Sequence, residues 1–329
     1  MSQTTVFILS CIGALIPAFI YTTLIYSIDR YEKEPIWLLV VTFLWGAIPA
    51  VIVSFIFNTV LSIPLYALAG DSGDIWAASF IAPPVEETAK GAILVIILFF
   101  RRSEIDSLLD GIIYGAVVGM GFAVVENVYY FLNVFAEGGV EAWSVNIFMR
   151  AVIFGLNHSL FTAVIGLGIA WAKMNPTSPL RFVTPFLGYG LGMFLHFLHN
   201  FSVSFGNLLC LVALASDWGG VWLLLAIMIW ALTQERRWIK EYLKEEVEAG
   251  VLTSSQYEVA LSGRKRSAHH LQTLSKQGIG GFLKSISFYH RCSELAYKKH
   301  HLELYHDEKT ANEANELRKY IVESRATFV

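Results

Sequence analysis

Long apolar runs separated by short polar loops dominate the first two thirds of the chain. A membrane-spanning helix needs about 20 mostly apolar residues, and seven runs reach that length. They cover residues 5–27, 36–57, 75–99, 108–133, 149–172, 181–205 and 207–232. The pattern predicts an all-α fold, a polytopic membrane helix bundle with about seven transmembrane helices. A shorter apolar piece at 59–70, which contains Pro64, is predicted to be a re-entrant or interfacial segment.

Positive charge alternates between the loops that join these runs. Lys or Arg occurs in 28–35, 100–107, 173–181 and the segment after 232, but not in 58–74, 134–148 or 206. Loops rich in Lys and Arg remain on the cytoplasmic side of a membrane. The N-terminus is therefore predicted to lie outside and the C-terminus in the cytoplasm, as in a multi-pass protein of the cell membrane.

Composition divides the chain after residue 232. Residues 1–232 carry 8 of the 24 Lys and Arg residues, whereas residues 233–329 carry the other 16. We predict a transmembrane domain over 1–232 and a cytoplasmic helical tail over 233–329. The net charge of −3 argues against a nucleic-acid partner. Cys11, Cys210 and Cys292 are widely spaced and indicate no disulfide or zinc framework.

Ionisable and imidazole side chains occur inside four of the predicted spans. They are Glu86, Glu87 and Lys90 in the third, Glu126 in the fourth, His158 in the fifth and His196 in the sixth. Each charged group costs about 2.5–3.5 kcal/mol at the centre of a membrane helix, so it requires a partner or a function. Structural pairing explains Glu86 and Lys90, which share one helical face. It does not explain polar groups on four separate helices.

The depth of these groups in the membrane favours a shared site. The third span runs inward, and Pro83-Pro84 predicts that its regular helix begins there, with the two glutamates in its outer part. At 1.5 Å per residue, Glu126, His158 and His196 lie roughly 12, 14 and 15 Å from the outer ends of their spans. Helices of alternating direction therefore place all these groups in one layer, within the outer half of the membrane.

The residue types in this layer are suited to hydrolysis. A carboxylate and an imidazole in a low-dielectric cavity can activate water, and Asn200 is a neutral donor suited to an oxyanion. The spans contain neither paired aspartates nor an H-E-x-x-H motif. An ion- or proton-coupled membrane transporter would also concentrate such residues, but no internal repeat supports it. Only the tail supports a function as a receptor or scaffold.

Four ordered motifs on consecutive spans resemble those of the PrsW intramembrane proteases, distant relatives of the CAAX-prenyl and bacteriocin-processing proteases. The motifs are E-E-x-x-K at 86–90, F-x-x-x-E-N-x-x-Y at 122–130, H-x-x-F-T at 158–162 and H-x-x-x-N at 196–200. The resemblance implies an intramembrane endopeptidase in the 1–232 domain. Its substrate would be a membrane-anchored protein, such as a single-span anti-sigma factor, cleaved near the outer side.

The resemblance also implies roles for individual residues. It assigns water activation to Glu86 and Glu87. It assigns the role of general base or oxyanion stabiliser to His196 with Asn200. The other motif residues would complete or tune the site: Lys90, Glu126, Asn127 and His158. CAAX-type relatives carry His in place of Glu126 and Arg in a longer E-E-x-x-x-R motif. This departure favours membership of the PrsW branch and argues against prenylated substrates.

Zinc is the alternative to a metal-free reaction. Glu86, Glu126, His158 and His196 can supply a His/Glu ligand set with an open position for water. Against this, the ligands come from separate helices, and Lys90 places a cation close to a dication. We therefore expect hydrolysis without a cofactor. The expected partners are the protein substrate and the lipid bilayer.

Overall fold

The computed structural model describes residues 1–206 and 208–325, and every regular element in that part of the chain is helical. The α-helices are α1 (Gln3–Ile28), α2 (Ile36–Trp45), α3 (Val51–Ala69), α4 (Gly73–Trp76), α5 (Ala82–Phe100), α6 (Leu108–Ile147), α7 (Asn157–Met174), α8 (Thr184–Phe205), α9 (Leu209–Glu248), α10 (Ser254–Ala260), α11 (Gly263–Tyr305) and α12 (Glu308–Ser324). Short π-helical segments lie at Gly46–Ala50, Ala77–Ile81 and Phe148–Ile153. The all-α class predicted from the sequence is confirmed.

Within the described residues, four helical segments are long and apolar enough to cross a membrane. They are Gln3–Ile28, Ile36–Ala69, Leu108–Met174 and Leu209–Glu248. The helical membrane class is thus supported by length and composition. The predicted spans 75–99 and 181–205 correspond to α5 and α8, which carry many of the polar motif residues. The number of seven spans and their orientation stay predictions.

Two helices continue past their predicted ends. α3 runs through Pro64, so residues 59–69 are part of a longer helix and not a separate segment. α6 continues past its predicted end at 133 as far as Gly139, where the backbone leaves the helical region with φ 68° and a second helical stretch begins that ends at Ile147. Glycine adopts this left-handed conformation at no steric cost. The chain can therefore bend there and resume the helix.

The helices α5 and α7, which carry site residues, differ in how well the sequence predicts their starts. α5 has prolines in its first turn, at Pro83 and Pro84, where the missing N–H groups would have no helical partner. The regular α-helix begins at the predicted place, but helical backbone already runs through Gly73–Trp76 and the π-helical segment Ala77–Ile81 before it. α7 begins later than the apolar run suggests, at Asn157. His158 therefore lies in the first turn of α7, and its backbone N–H donates to Asn157 Oδ1 at 2.7 Å.

Packing divides the chain into two compact units. The first comprises Met1–Ile28 and Glu34–Met228, and the second comprises Asp29–Lys33 and Ile229–Val329. The first unit contains α5 to α8. The functional division into a catalytic domain and a tail stays a prediction.

The second unit has its own apolar core and a buried ion cluster. Ile239, Leu243, Phe288, Leu295 and Ile321 are fully buried within it. The carboxylate of Glu246 accepts hydrogen bonds from Lys299 and Arg318, each at 2.7 Å. A buried acid in this position ties the end of α9 to α11 and α12.

Glycines at every fourth position allow α6 to lie directly against α7. A Cβ atom added at Gly119 would lie 2.1 Å from the carbonyl oxygen of His158, and one at Gly115 would lie 2.4 Å from that of Thr162. Small residues let membrane helices approach closely in this way. The close approach brings His158 beside the helix that carries Glu126.

Replacing Gly119 by Ala is expected to push α6 and α7 apart. Overpacking of a tight contact costs about 1–3 kcal/mol, so we expect a lower thermal unfolding temperature in detergent and reduced activity. Gly190→Ala in α8 is the matched control, because a Cβ at Gly190 meets no atom within 4 Å. Equal unfolding temperatures for the two variants would contradict this packing.

Candidate active site

The polar motif residues of α5, α6, α7 and α8 meet inside the first unit. Six of the predicted site residues form one continuous cluster of contacts: Glu86, Glu87, Lys90, Glu126, His158 and His196. Glu87 and Lys90 are 0 % exposed, and His196 is 1 % exposed. Because charged groups so deeply buried are costly unless paired, their mutual contacts decide what each one can do.

Glu87 is held on both carboxylate oxygens. Its Oε1 lies 2.5 Å from Lys90 Nζ and 2.9 Å from His196 Nδ1. Its Oε2 accepts a hydrogen bond from Thr162 Oγ1 at 2.9 Å. These contacts leave Glu87 little capacity to act on a water molecule. They fix the imidazole of His196 through Nδ1, so that Nε2 is the nitrogen directed to other partners.

Glu86 differs from its neighbour because one of its oxygens is available. Its Oε1 accepts from Asn58 Nδ2 at 3.2 Å. Its Oε2 is buried and has no hydrogen-bond partner among the described residues. The nearest groups are His196 Nε2 at 3.8 Å and Lys90 Nζ at 3.9 Å. An unsatisfied buried carboxylate oxygen is rare in a folded protein and marks a place where a further ligand fits.

His158 connects the two halves of the cluster. Its Nε2 lies 2.8 Å from Glu126 Oε2, and its Nδ1 lies 3.3 Å from Lys90 Nζ. Glu126 is also bound by Arg150, whose Nη2 lies 2.7 Å from the same oxygen. The Nε of Arg150 donates to Asn127 Oδ1 at 2.9 Å. Asn127 therefore joins the cluster through Arg150, which the sequence analysis did not include in the site.

Asn200 is placed apart from the cluster. Its Nδ2 donates to the carbonyl oxygen of Ala78 at 2.8 Å, within the π-helical segment Ala77–Ile81. This hydrogen bond uses one of the two N–H groups of the Asn200 amide. The oxyanion role that its motif implies stays a prediction.

The donor set fits a divalent metal ion. One ligand atom from each of Glu86, His158 and His196 lies within 4.8 Å of the others. Each histidine contacts a carboxylate through one ring nitrogen, Glu87 for His196 and Glu126 for His158. Metal-binding histidines usually have such a carboxylate partner on the second nitrogen. The predicted ligand Glu126 takes this supporting place and lies outside the group of three.

Two arguments against a metal are weaker in the structure than in the sequence. The ligands come from three helices, but the fold brings them together. The charge of Lys90 is opposed by Glu87 at 2.5 Å, which reduces its repulsion of a nearby cation. Glu86, His158 and His196 thus form a candidate metal site, although Lys90 Nζ lies 3.3 Å from His158 Nδ1. The choice between zinc and a metal-free reaction stays a prediction.

A second buried network adjoins the cluster, and the sequence analysis missed it. His199 Nδ1 lies 2.7 Å from Asp217 Oδ2 on α9, and His199 Nε2 lies 3.2 Å from Asn157 Nδ2. Asn157 Oδ1 then holds the backbone N–H of His158. The signal was present, because Asp217 is the single acid in the run 207–232.

Asp217→Asn is expected to lower turnover by about 10- to 100-fold, as loss of a supporting hydrogen bond does at other sites. The change keeps the shape of the side chain but removes the charge that orients His199. Because His199 contacts Asn157, the change also affects the first turn of α7. We expect kcat to fall with little change in KM. Asp74→Asn, at an exposed acid, is the control. Unchanged kcat in Asp217→Asn would contradict the positioning role.

The fold and the cluster together define an all-helical membrane protein with a buried carboxylate–imidazole site, as expected of an intramembrane hydrolase. The chain belongs to the PrsW family of intramembrane proteases, because the family model described as "PrsW family intramembrane metalloprotease" matches residues 34–233. This stretch contains all four motifs.

Curated relatives agree with the family assignment. Protease PrsW of Clostridioides difficile is 32% identical over 188 residues, which cover 57% of this chain and 76% of the relative. Protease PrsW of Oceanobacillus iheyensis is 31% identical over 189 residues, covering 57% and 80%. No solved structure shows a significant match. Residues after 233 lie beyond the family match, so the role of the tail is not inherited from it.

Proposed function

We propose that this protease cleaves membrane-anchored proteins within the outer half of the membrane, with Glu86 as the group that activates water. The observation that carries the proposal is the free Oε2 of Glu86 facing His196 Nε2 at 3.8 Å. These atoms are too far apart for a direct hydrogen bond, but one water molecule can contact both. A carboxylate and an imidazole that share a water form a general acid–base pair.

The surrounding residues hold this pair in place and balance its charge. Glu87 fixes the ring of His196 through Nδ1, and Thr162 fixes Glu87 in turn. Lys90 lies between Glu87 and His158 and offsets the negative charge of the glutamates. Fixed polar groups of this kind lower the cost of developing charge in the transition state.

A divalent ion such as zinc would be held by Glu86, His158 and His196. When bound, it would polarise the scissile carbonyl and make water a better nucleophile. Glu87 and Glu126 would then orient the two histidine ligands. Glu86 and His196 serve in either case, as an acid–base pair without the ion and as two of its ligands with it.

The substrate class that we propose is the single-span membrane protein, with anti-sigma factors as an example. The helices around the site carry many exposed apolar residues, which supports a substrate that itself lies in the membrane. Reconstitution of the purified protein with a single-span peptide tests this proposal. Cleavage within the apolar segment is expected. Proton- or ion-dependent solute uptake without cleavage would support a transporter and contradict the proposal.

The outer-half location rests on the predicted orientation, which can be tested by labelling. In a chain with Cys11 and Cys210 replaced by Ser, Glu137→Cys is expected to react with an impermeant maleimide in intact cells. Lys309→Cys in the tail is expected to react only after the membrane is opened. The reverse pattern would contradict the orientation and move the site to the cytoplasmic half.

A further inference from the structure

The long helix α11 in the tail is a helical hairpin. Its backbone turns at Gly278, where φ is 67°, and the two arms pack against each other. His270 Nδ1 lies 2.7 Å from Ser285 Oγ, and Arg266 Nη2 donates to Ser293 Oγ at 2.6 Å. Because both contacts pair residues on either side of Gly278, the arms run antiparallel. We call residues 271–286 the hairpin tip.

The hairpin tip exposes large apolar side chains. The described part of the tail after residue 232 has seven exposed large apolar residues, and five of them lie in the tip. These five are Leu271 at 62 %, Leu274 at 37 %, Ile279 at 71 %, Leu283 at 58 % and Ile286 at 40 % exposed. Their spacing of three or four residues places those of each arm on one helical face. A soluble domain does not usually group exposed apolar residues in this way.

The hairpin is also positively charged. Residues 259–293 contain six Lys or Arg residues and no Asp or Glu. Lys276 and Lys284 lie within the tip itself and are exposed. Neither forms an ion pair among the described residues. Burial lowers the pKa of His270 to about 4, so this ring adds no charge near neutral pH.

We propose that the hairpin tip docks on the surface of the membrane, with its apolar residues at the acyl boundary and its lysines at anionic phospholipid headgroups. An apolar face flanked by lysines is the pattern of an interfacial membrane helix. The tail begins within α9, a helix long and apolar enough to cross the membrane, so a lipid surface lies within reach of the chain. A second copy fits less well, because it would oppose like charges.

A fluorescent probe at the tip of the full-length protein in proteoliposomes tests the proposal. Gly280→Cys is a suitable attachment site, because its Cβ would meet open space and every apolar residue of the tip is kept. Cys11 and Cys210 are replaced by Ser. Cys292 can remain, because it is buried and burial raises the pKa of its thiol to about 12.

Brominated acyl chains should quench the probe at position 280 in vesicles that contain phosphatidylserine, and much less in phosphatidylcholine alone. The matched control is the same probe at Lys309→Cys, whose native side chain is 85% exposed and lies outside the tip. This control should not be quenched. Absence of quenching at 280 in both lipids would overturn the proposal, as would probe–probe energy transfer between copies in place of quenching.

Charge reversal separates headgroup recognition from apolar insertion alone. Lys276→Glu with Lys284→Glu should reduce the quenching in anionic vesicles, since each lysine at such a surface contributes roughly a fivefold change in the docking equilibrium. The control variant Lys309→Glu with Lys319→Glu makes the same change of charge on α12 and should leave the quenching unchanged. Equal quenching in both double variants, or in both lipids, would overturn the role of the lysines.

Discussion

Glu86→Gln is expected to lower peptide-bond hydrolysis by at least about 10²- to 10⁴-fold, the contribution of a general acid–base group. The protein should accumulate, insert and unfold as the wild type does. The reason is that Glu86 Oε2 makes no hydrogen bond within the described chain, so the amide disturbs few contacts. Cleavage kinetics and thermal unfolding in the same detergent measure both quantities. Glu137→Gln at an exposed acid is the control.

The neighbouring Glu87→Gln variant should behave differently. It also loses activity, but it leaves the ammonium of Lys90 buried without its 2.5 Å partner. Breaking one side of a buried pair costs about 3–5 kcal/mol, so the unfolding temperature should fall. Adding Lys90→Met should restore much of the stability without restoring cleavage. If Glu86→Gln lost stability and Glu87→Gln did not, the two roles would have to be exchanged.

Metal removal is the second change with a large expected effect. Exhaustive chelation should reduce cleavage by the purified wild type by at least about 100-fold, because Lewis acidity contributes several kcal/mol to such reactions. Zinc should restore the rate. Metal content is the independent readout, expected near one ion per chain in the wild type and well below that in His158→Ala and His196→Ala.

Full activity in a preparation free of metal would contradict this expectation. It would return the mechanism to the metal-free reaction expected from the sequence, in which a glutamate and a histidine share the water. A control variant is His306→Ala, since this residue lies in the tail. Its metal content and its response to chelation should match the wild type.

The sequence predicted that polar residues on four helices meet, because the depth of a residue in the membrane follows from the lengths of the spans and the charges of the loops. Span length, loop charge and the 1.5 Å rise per residue predict that Glu126, His158 and His196 lie at one level. The predicted depth of His158 differs from the structure, in which this residue lies in the first turn of α7. Those rules say nothing about rotation of each helix about its axis. Adjacent residues such as Glu86 and Glu87 point about 100° apart. Only packing decides which one is held by Lys90 and which one stays free.

Other parts of the site depend on contacts between helices that no local pattern encodes. Thr162 reaches Glu87 because glycines on α6 let α7 approach closely. Arg150 reaches Glu126 from a π-helical segment before α7. The motif residues themselves could be found from the sequence, but their supporting partners could not. Asp217 is the exception, since a lone acid in an apolar span is a visible signal.

The most direct test of the central claim is a mass-spectrometric comparison of membrane proteins in cells that carry the wild-type chain or Glu86→Gln. We predict that fragments cut inside a transmembrane segment, near its outer end, are present with the wild type and absent with the variant, while both proteins are equally abundant. The same fragments at equal levels in both cells would contradict the account.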